Sequence, residues 1–383
     1  MPQRSRRKIW SDLWKSQPAW TPIPPSQSQS GQNPGQSSWL LASRPAMGTT
    51  FELRFDAATH GAVALAESCF DLIDDLEMMM TIYRDDSTLA RINASYHSAP
   101  VVVPQDLFDL LNLARSIHQA TDGAYDITTG TLSRIWGFVK GPRRVPGEKE
   151  LQDALDRTGM RYLEFDPGNR TIRSARKGVE LNLGSIGKGY AIDRVVHRIR
   201  SAILPIPAMV HGGRSSLYAL GHQPGTLFEP WTISLHNPAA PDDSIVELKL
   251  VDQAVGTSGA TFQSFHVDGR TYGHIIDPRS GIPPEGPLSV TVIAPTAAEA
   301  DAISTALYLT GPAMAARLIE ARPGLGVLFL RRPDHQDSGL PELLVMNVPR
   351  ERITVRDIQA EFVGPTDKVP DSWLGESIDR SGK

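Results

Sequence analysis

The sequence predicts an α+β fold with mixed, mainly antiparallel sheet and flanking helices, and three observations lead to it. A strand-like TTFELRF at Thr49 to Phe55 is followed by apolar residues at helical spacing from Val63 to Met79. Strand patterns then succeed one another without helices between them, at Ala208 to Val210, Leu217 to Ala219, Trp231 to Leu235, Ile245 to Leu250 and Ser289 to Ile293. No self-similarity appears at the roughly 20–50-residue periods of solenoids.

The first 39 residues read as a disordered tail and linker. Arg4, Arg6, Arg7, Lys8 and Lys15 crowd the start beside Trp10, Trp14 and Trp20, and a Ser/Gln/Pro/Gly tract runs from Pro22 to Ser38. The basic residues lead into SDLWKSQPAW, too polar for the apolar core of a secretory signal, so a cytoplasmic location is expected. Residues 40–345 read as the folded domain. After its opening strand and helix, Pro104 starts a second helix with Leu107, Leu110, Leu111 and Ala114 on one face, stopped by the turn at Thr121 to Gly123. A helix from Glu148 to Thr158 and short strands near Tyr162, Thr171 and Val179 lead to NLGSIGKGYAIDRVVHRI, read as strand, glycine turn and helix. A helix from Ala297 to Leu309 and a final LGVLFL strand follow. Residues 346–383 read as an extension whose polar end, after about Val363, is disordered.

Composition narrows the function. The 383 residues carry 39 Lys+Arg against 43 Asp+Glu, a net charge of −4, which excludes a nucleic-acid coat. The single cysteine, Cys69, excludes a disulfide framework and a Cys-based zinc site, so a metal would be held by oxygen or imidazole. No apolar run is long enough to span a membrane.

Three segments carry residues suited to chemistry. GSIGKG, Gly184 to Gly189, precedes a helix, so its backbone amides and Lys188 can face an anion; it lacks Walker A spacing, and taken alone such a turn is more often a structural strand-to-helix turn. EADAISTAL puts Asp301 and Thr305 on one helical face with Ser304 adjacent, a hard-oxygen set suited to Mg²⁺; alternatively Asp301 is a first-turn acid that complements the helix dipole. HIIDPRSG sets His274 and Asp277 around an apolar pair, either as acid/base partners or as a strand residue and an Asx-type turn.

In chain order the sequence also supplies MGT at Met47 to Thr49, YRDDSTLARIN at Tyr83 to Asn93, DGAYDITTGTLSRIWGF at Asp122 to Phe138, NLGSIGKGY at Asn182 to Tyr190 and TSG at Thr257 to Gly259, ahead of HIIDPRSG and EADAISTAL. Together, from about Ala46 to Leu330, these motifs resemble those of the FAD:protein FMN transferase family, the ApbE-like flavin transferases. The resemblance implies a bilobed, T-fold-related architecture with FAD bound between the lobes. It implies Mg²⁺-dependent transfer of FMN from FAD to a Thr or Ser hydroxyl in the flavinylation motif of an acceptor flavoprotein, with release of AMP.

Carried over by motif, the metal ligands are Asp301, Thr305, Ser304 and the Gly187 carbonyl. FAD contacts fall on Met47, Tyr83, Ala124, Tyr125, Asp126, Ser185, Lys188, Tyr190 and Ile275. His274 is base or orienter for the acceptor hydroxyl, supported by Asp277, and Lys188 sits near the phosphates. The sequence departs from the family at Asn182, where an acid is usual, at His211 and Arg214, and at Ala260-Thr261-Phe262-Gln263. Two other functions fit the same residues: an FAD pyrophosphatase in which water replaces the acceptor, and a flavin-binding protein without catalysis. VGTSGAT at Val255 to Thr261 resembles the acceptor motif itself, but its place beside the TSG turn predicts no self-flavinylation at Thr261.

Overall fold

Phe51, Leu53 and Phe55 are fully buried while Glu52 and Arg54 between them turn the other way, and this alternation runs through the central layer of the molecule. The computed structural model describes residues 20–22, 39–202, 206–213, 215–224, 226, 228–237, 240–259, 264–332 and 340–374. In chain order the elements are β1 (Trp20–Pro22), β2 (Trp39–Ala46), β3 (Thr49–Asp56), α1 (Ala62–Met80), α2 (Thr88–Ser95), β4 (Val101–Val102), α3 (Gln105–Ala120), α4 (Gly130–Ile135), α5 (Glu148–Leu155), β5 (Leu163–Asp166), β6 (Thr171–Ser174) and α6 (Gly187–Arg200). Then come β7 (Ala208–Gly212), β8 (Ser216–Leu220), β9 (Trp231–Asn237), β10 (Ala240–Leu250), β11 (Gln253–Ser258), β12 (Ser264–Val267), β13 (Arg270–Gly273), β14 (Ser289–Ala294), α7 (Ala297–Thr310), α8 (Pro312–Ala321), β15 (Gly326–Arg331), β16 (Glu342–Met346), β17 (Ile353–Val355) and β18 (Gln359–Val363).

Nine strands form the main sheet, in the order β18-β16-β15-β14-β11-β8-β7-β3-β2, and a second sheet runs β1-β9-β10-β17. The β16–β18 ladder is parallel. The other ladders are antiparallel, as the sequence predicts. Both faces of the main sheet are covered. Tyr218 and Leu220 of β8 pack into the core under the helices, whereas Leu217 and Ala219 pack against the second sheet; Val327 and Phe329 against Leu328 and Leu330 repeat the division in β15. Burial on two sides explains why these strands read as unbroken apolar runs. A one-residue slip would exchange the two cores, so register is strongly fixed.

A smaller core joins α4 and α5 to the β12–β13 hairpin through Leu132, Ile135, Trp136, Ala154 and Ile276. Phe265 and Tyr272 of the hairpin stack at 5.5 Å, and Tyr272 lies 5.2 Å from Trp136. The Trp136 indole N–H donates to the Gly281 carbonyl at 2.8 Å, clamping the turn after Pro278 onto this layer. No helix among the described residues is long and apolar enough to cross a membrane.

Several elements differ from the sequence reading. The stretch just before GSIGKG, Leu181 to Leu183, is no strand, and the Asn182 N–H donates to the Ile127 carbonyl instead. Near Val179 only a single bridge forms, between Thr129 and Glu180. The helix from Glu148 stops at Leu155. LGVLFL is not the last strand: β16, β17 and β18 follow and pair with the two sheets. Past Val363 the chain still packs, with Trp373 buried under the Arg331 guanidinium, which lies 3.9 Å from its ring. At the other end Trp20–Pro22 pairs with β9 inside the segment read as a tail. Residues 1–19, 23–38 and 375–383 lie outside the described residues.

Candidate active site

α6 and α7 meet where neither backbone leaves room for a side chain. A Cβ on Gly189 would sit 2.2 Å from the Ala297 carbonyl oxygen, and one on Gly256 of β11 would sit 2.4 Å from the Ala300 carbonyl carbon. Glycine at both positions lets Asp301 come down onto the start of α6. Its Oδ2 accepts the Gly189 N–H at 2.9 Å and its Oδ1 accepts the Ser216 hydroxyl at 2.6 Å. Reciprocally, Asp193 of α6 accepts the Ala297 and Ala298 N–H groups at 2.7 and 2.9 Å. Thr296 completes that cap by accepting the Glu299 N–H.

Burial pushes the Asp301 carboxyl up to about 6, against the opposing pull of the Lys188 charge and its two hydrogen bonds. Burial also raises Asp193, to about 7, against the pull of the two N–H donors. Both groups are acids whose ionised form lacks bulk solvation.

These helix starts form part of the wall of a cleft holding about 1680 Å³ of empty space, open to solvent. Asp301 and Thr305, one turn apart, both reach it, as do Ser185 and Lys188. Ser304 does not. It is buried, donates to the Asp301 carbonyl at 3.0 Å and lies 2.9 Å from the Ser258 hydroxyl. Ser258 itself lines the cleft, 3.2 Å from the Thr305 hydroxyl.

The MGT motif is the β2–β3 turn. Met47 and Gly48 both have positive φ, 50° and 73°, as a two-residue hairpin requires, and this turn presents Met47, Gly48 and Thr49 to the cleft. Tyr83 and Ala124 also line it, and Tyr83 is 56% exposed. Tyr125 is 1% exposed, with its hydroxyl accepting from Ser185 at 3.2 Å, so Tyr83 rather than Tyr125 offers an open ring for stacking. Asp126 borders the cleft, but its carboxylate is turned inward. Oδ1 accepts from the Thr128 N–H and hydroxyl at 2.7 and 2.6 Å, and Oδ2 accepts from the Met160 N–H at 3.0 Å. That structural use leaves little of it for adenine or ribose.

His274 and Ile275 reach the same cleft, and the Phe138 ring stands edge-on to the imidazole at 6.5 Å. Asp277, expected to support His274, is engaged by Arg279. Its two oxygens take a bidentate pair from Arg279 at 2.9 and 2.7 Å, Oδ1 also accepts the Arg279 N–H, and the Asp277 carbonyl accepts the Gly281 N–H. The turn reading of HIIDPRSG therefore holds for Asp277, since a carboxylate two residues from an arginine on a tight turn is satisfied locally. Tyr190 also stands behind the wall, its hydroxyl donating to the Asp106 carbonyl at 3.0 Å. Gly187 opens α6 behind the wall and gives its N–H to the Leu183 carbonyl. Asn182 lines the cleft and accepts the Gly184 N–H at 3.0 Å, a turn that an amide or a carboxylate can make. Arg214 and Ala260-Thr261-Phe262-Gln263 lie outside the described residues.

Sequence reasoning passed over Ser216 and Asp193, which hold Asp301 and α7. It quoted the TSG motif without assigning Ser258. Only the last carried a signal, because a mid-helix acid such as Asp193 looks like a solvated one.

Among the described residues no three His, Cys, Asp or Glu side chains form a metal-binding cluster. The oxygens at hand fit a hard cation nonetheless: a buried carboxylate whose hydrogen-bond partners are neutral, with the Thr305 hydroxyl beside it on the cleft wall.

Residues 47–329 match the model of the ApbE family. The chain is 31% identical over 287 residues to the FAD:protein FMN transferase of Treponema pallidum, covering 72% of this chain and 78% of that protein. It is 30% identical over 266 residues to the FAD:protein FMN transferase of Salmonella typhimurium, covering 68% and 75%. The crystal structure of the ApbE protein of Thermotoga maritima superposes with a TM-score of 0.70 at 31% identity, covering 76% of this chain and 94% of that one. The flavin transferase ApbE of Vibrio cholerae gives 0.69 at 27% identity, covering 78% and 95%.

Proposed function

The chain belongs to the ApbE family, and from that premise we propose that it transfers FMN from FAD to a Thr or Ser hydroxyl of an acceptor protein in a Mg²⁺-dependent reaction that releases AMP. The observation that carries this reading is the convergence of Lys188, Asp301, Thr305 and His274, from three separate segments, on one cleft that also presents the exposed ring of Tyr83. A cation, hard oxygens, an imidazole and an aromatic face are the groups that a dinucleotide pyrophosphate and its attacking nucleophile require.

In this reading Tyr83, Met47, Ala124 and Ile275 bind the flat and apolar parts of FAD. Lys188 lies by the pyrophosphate and offsets charge building on its oxygens. The acceptor hydroxyl oxygen bonds to the phosphorus on the FMN side, and the bond from that phosphorus to the bridging oxygen breaks. AMP leaves with the bridging oxygen, and the hydroxyl proton passes to His274. The Asp301 carboxylate and Thr305 hydroxyl would hold Mg²⁺, with the Gly187 carbonyl as a third donor. Ser304, engaged with Ser258 and the Asp301 carbonyl, stands behind this pair rather than on the cleft. Bound there, the metal supplies positive charge to the phosphate oxygens.

Incubating the protein with FAD and Mg²⁺, with and without an acceptor fragment, and measuring AMP release and acceptor mass tests the proposal. FMN-bearing acceptor with matching AMP is the expected result. AMP released equally without acceptor would assign a pyrophosphatase, and FAD bound without AMP a flavin-binding protein.

A further inference from the structure

The Asp301 carboxylate and the Thr305 hydroxyl reach the cleft from α7 and Lys188 reaches it from the start of α6, which opens at Gly187, so a cation or pyrophosphate held by both helices depends on how they sit together. No side chain separates them at the crossing, because Gly189 lies directly against the Ala297 carbonyl. Packing there limits how near the helices come, but a glycine surface does not stop them from sliding.

Two polar ties do. One is Asp301 itself, through the Gly189 N–H. The other is Asp193, whose two oxygens take the first two N–H groups of α7, from Ala297 and Ala298. If Asp301 turns toward a ligand, Asp193 is the remaining polar tie between the start of α7 and α6.

We propose that Asp193 is a positioning residue for flavin transfer, which fixes the separation of the α6 groups Lys188 and Gly187 from the α7 groups Asp301 and Thr305 without touching the substrate. The inference rests on the reading of the cleft as an FAD and Mg²⁺ site. Asp193 acts through backbone donors one turn before Asp301, as the outer partners of metal ligands do in other proteins.

The test uses the full chain, its Asp193→Asn form, which keeps one acceptor oxygen, and Asp193→Ala, which keeps none. Each is titrated with Mg²⁺ in the presence of ADP, which carries a pyrophosphate but no FMN to transfer, and the rise in melting temperature is followed. The expected result is a half-saturating Mg²⁺ concentration raised about tenfold or more in Asp193→Ala, with Asp193→Asn between it and the parent. A residue with a merely structural role would lower the melting temperature without metal yet leave the half-saturating concentration unchanged, and that outcome overturns the proposal. If Asp193→Ala does not fold, an unchanged half-saturating concentration in Asp193→Asn overturns it equally. A parent protein that neither responds to Mg²⁺ with ADP nor releases AMP from FAD removes the transferase reading and this inference with it. A responsive parent whose variants respond identically removes the inference alone.

Discussion

Asp193 and Asp301 each accept hydrogen bonds from the first turn of the other's helix, Asp193 from Ala297 and Ala298 and Asp301 from Gly189. The pair ties α6 to α7, and of its two acids only the buried one, Asp301, borders the cleft. Four predictions follow from this arrangement and the cleft beside it.

Asp301→Ala is expected to abolish Mg²⁺-dependent AMP release while the protein stays folded, because Asp301 is the one carboxylate among the proposed ligands. Circular dichroism and an AMP assay check it; undiminished turnover would remove the metal assignment.

His274→Ala is expected to lower FMN transfer by about 10²–10⁴-fold, the usual contribution of a general base, with FAD affinity changed only a few-fold. Single-turnover rates and FAD titration separate the two. Loss of FAD binding would make His274 a binding residue.

Gly189→Ala is expected to destabilise the protein by roughly 1–3 kcal/mol, since its Cβ meets the Ala297 backbone, which cannot yield as a flexible side chain would. Gly324→Ala is the control. A Cβ there would meet only the Pro295 ring, at an ordinary contact distance of 3.7 Å, so its unfolding midpoint in urea is expected to stay near the parent's.

Stability should also depend on Asp193 through pH. Its folded value near 7 lies above its ordinary 3.8, so its contribution is fully present below about pH 3.8 and is lost as pH rises through 7. The loss is on the order of 4 kcal/mol at most. Urea midpoints for the metal-free protein between pH 5 and 8 are expected to fall less steeply in Asp193→Asn than in the parent. Parallel slopes would show that Asp193 does not titrate there.

Much of the fold was legible because it rests on period. The alternation of Thr49–Phe55 and the helical spacing of Val63–Met79 locate β3 and α1 nearly to the residue. The last strands were not legible. QAEFV at Gln359–Val363 is polar enough to pass for a tail, and it becomes a strand by lying beside β16. Trp373 is buried by joining the main core, with Arg331, far away in sequence, over its ring. At the site, motif order indicated the residues that meet in the cleft, but not which way each one faces. Asp126 and Asp277 are spelled like site acids and are satisfied by Thr128, Met160 and Arg279 instead. Such local hydrogen bonds leave the letters of a motif unchanged.

The edge strands of the two larger sheets among the described residues, β1 and β17 on one and β2 and β18 on the other, have a consequence for biosynthesis. A ribosome makes β2 early and β18 more than 300 residues later, so a growing chain carries the free rims of β10 and β16 until its last stretch emerges. During translation those rims can pair with another nascent copy, and a chain cut near residue 346 keeps them permanently. A chain ending near residue 346 should therefore be prone to associate through β10 and β16, whereas a chain extending past Val363 covers both and presents the short strands β17 and β18 as its edges.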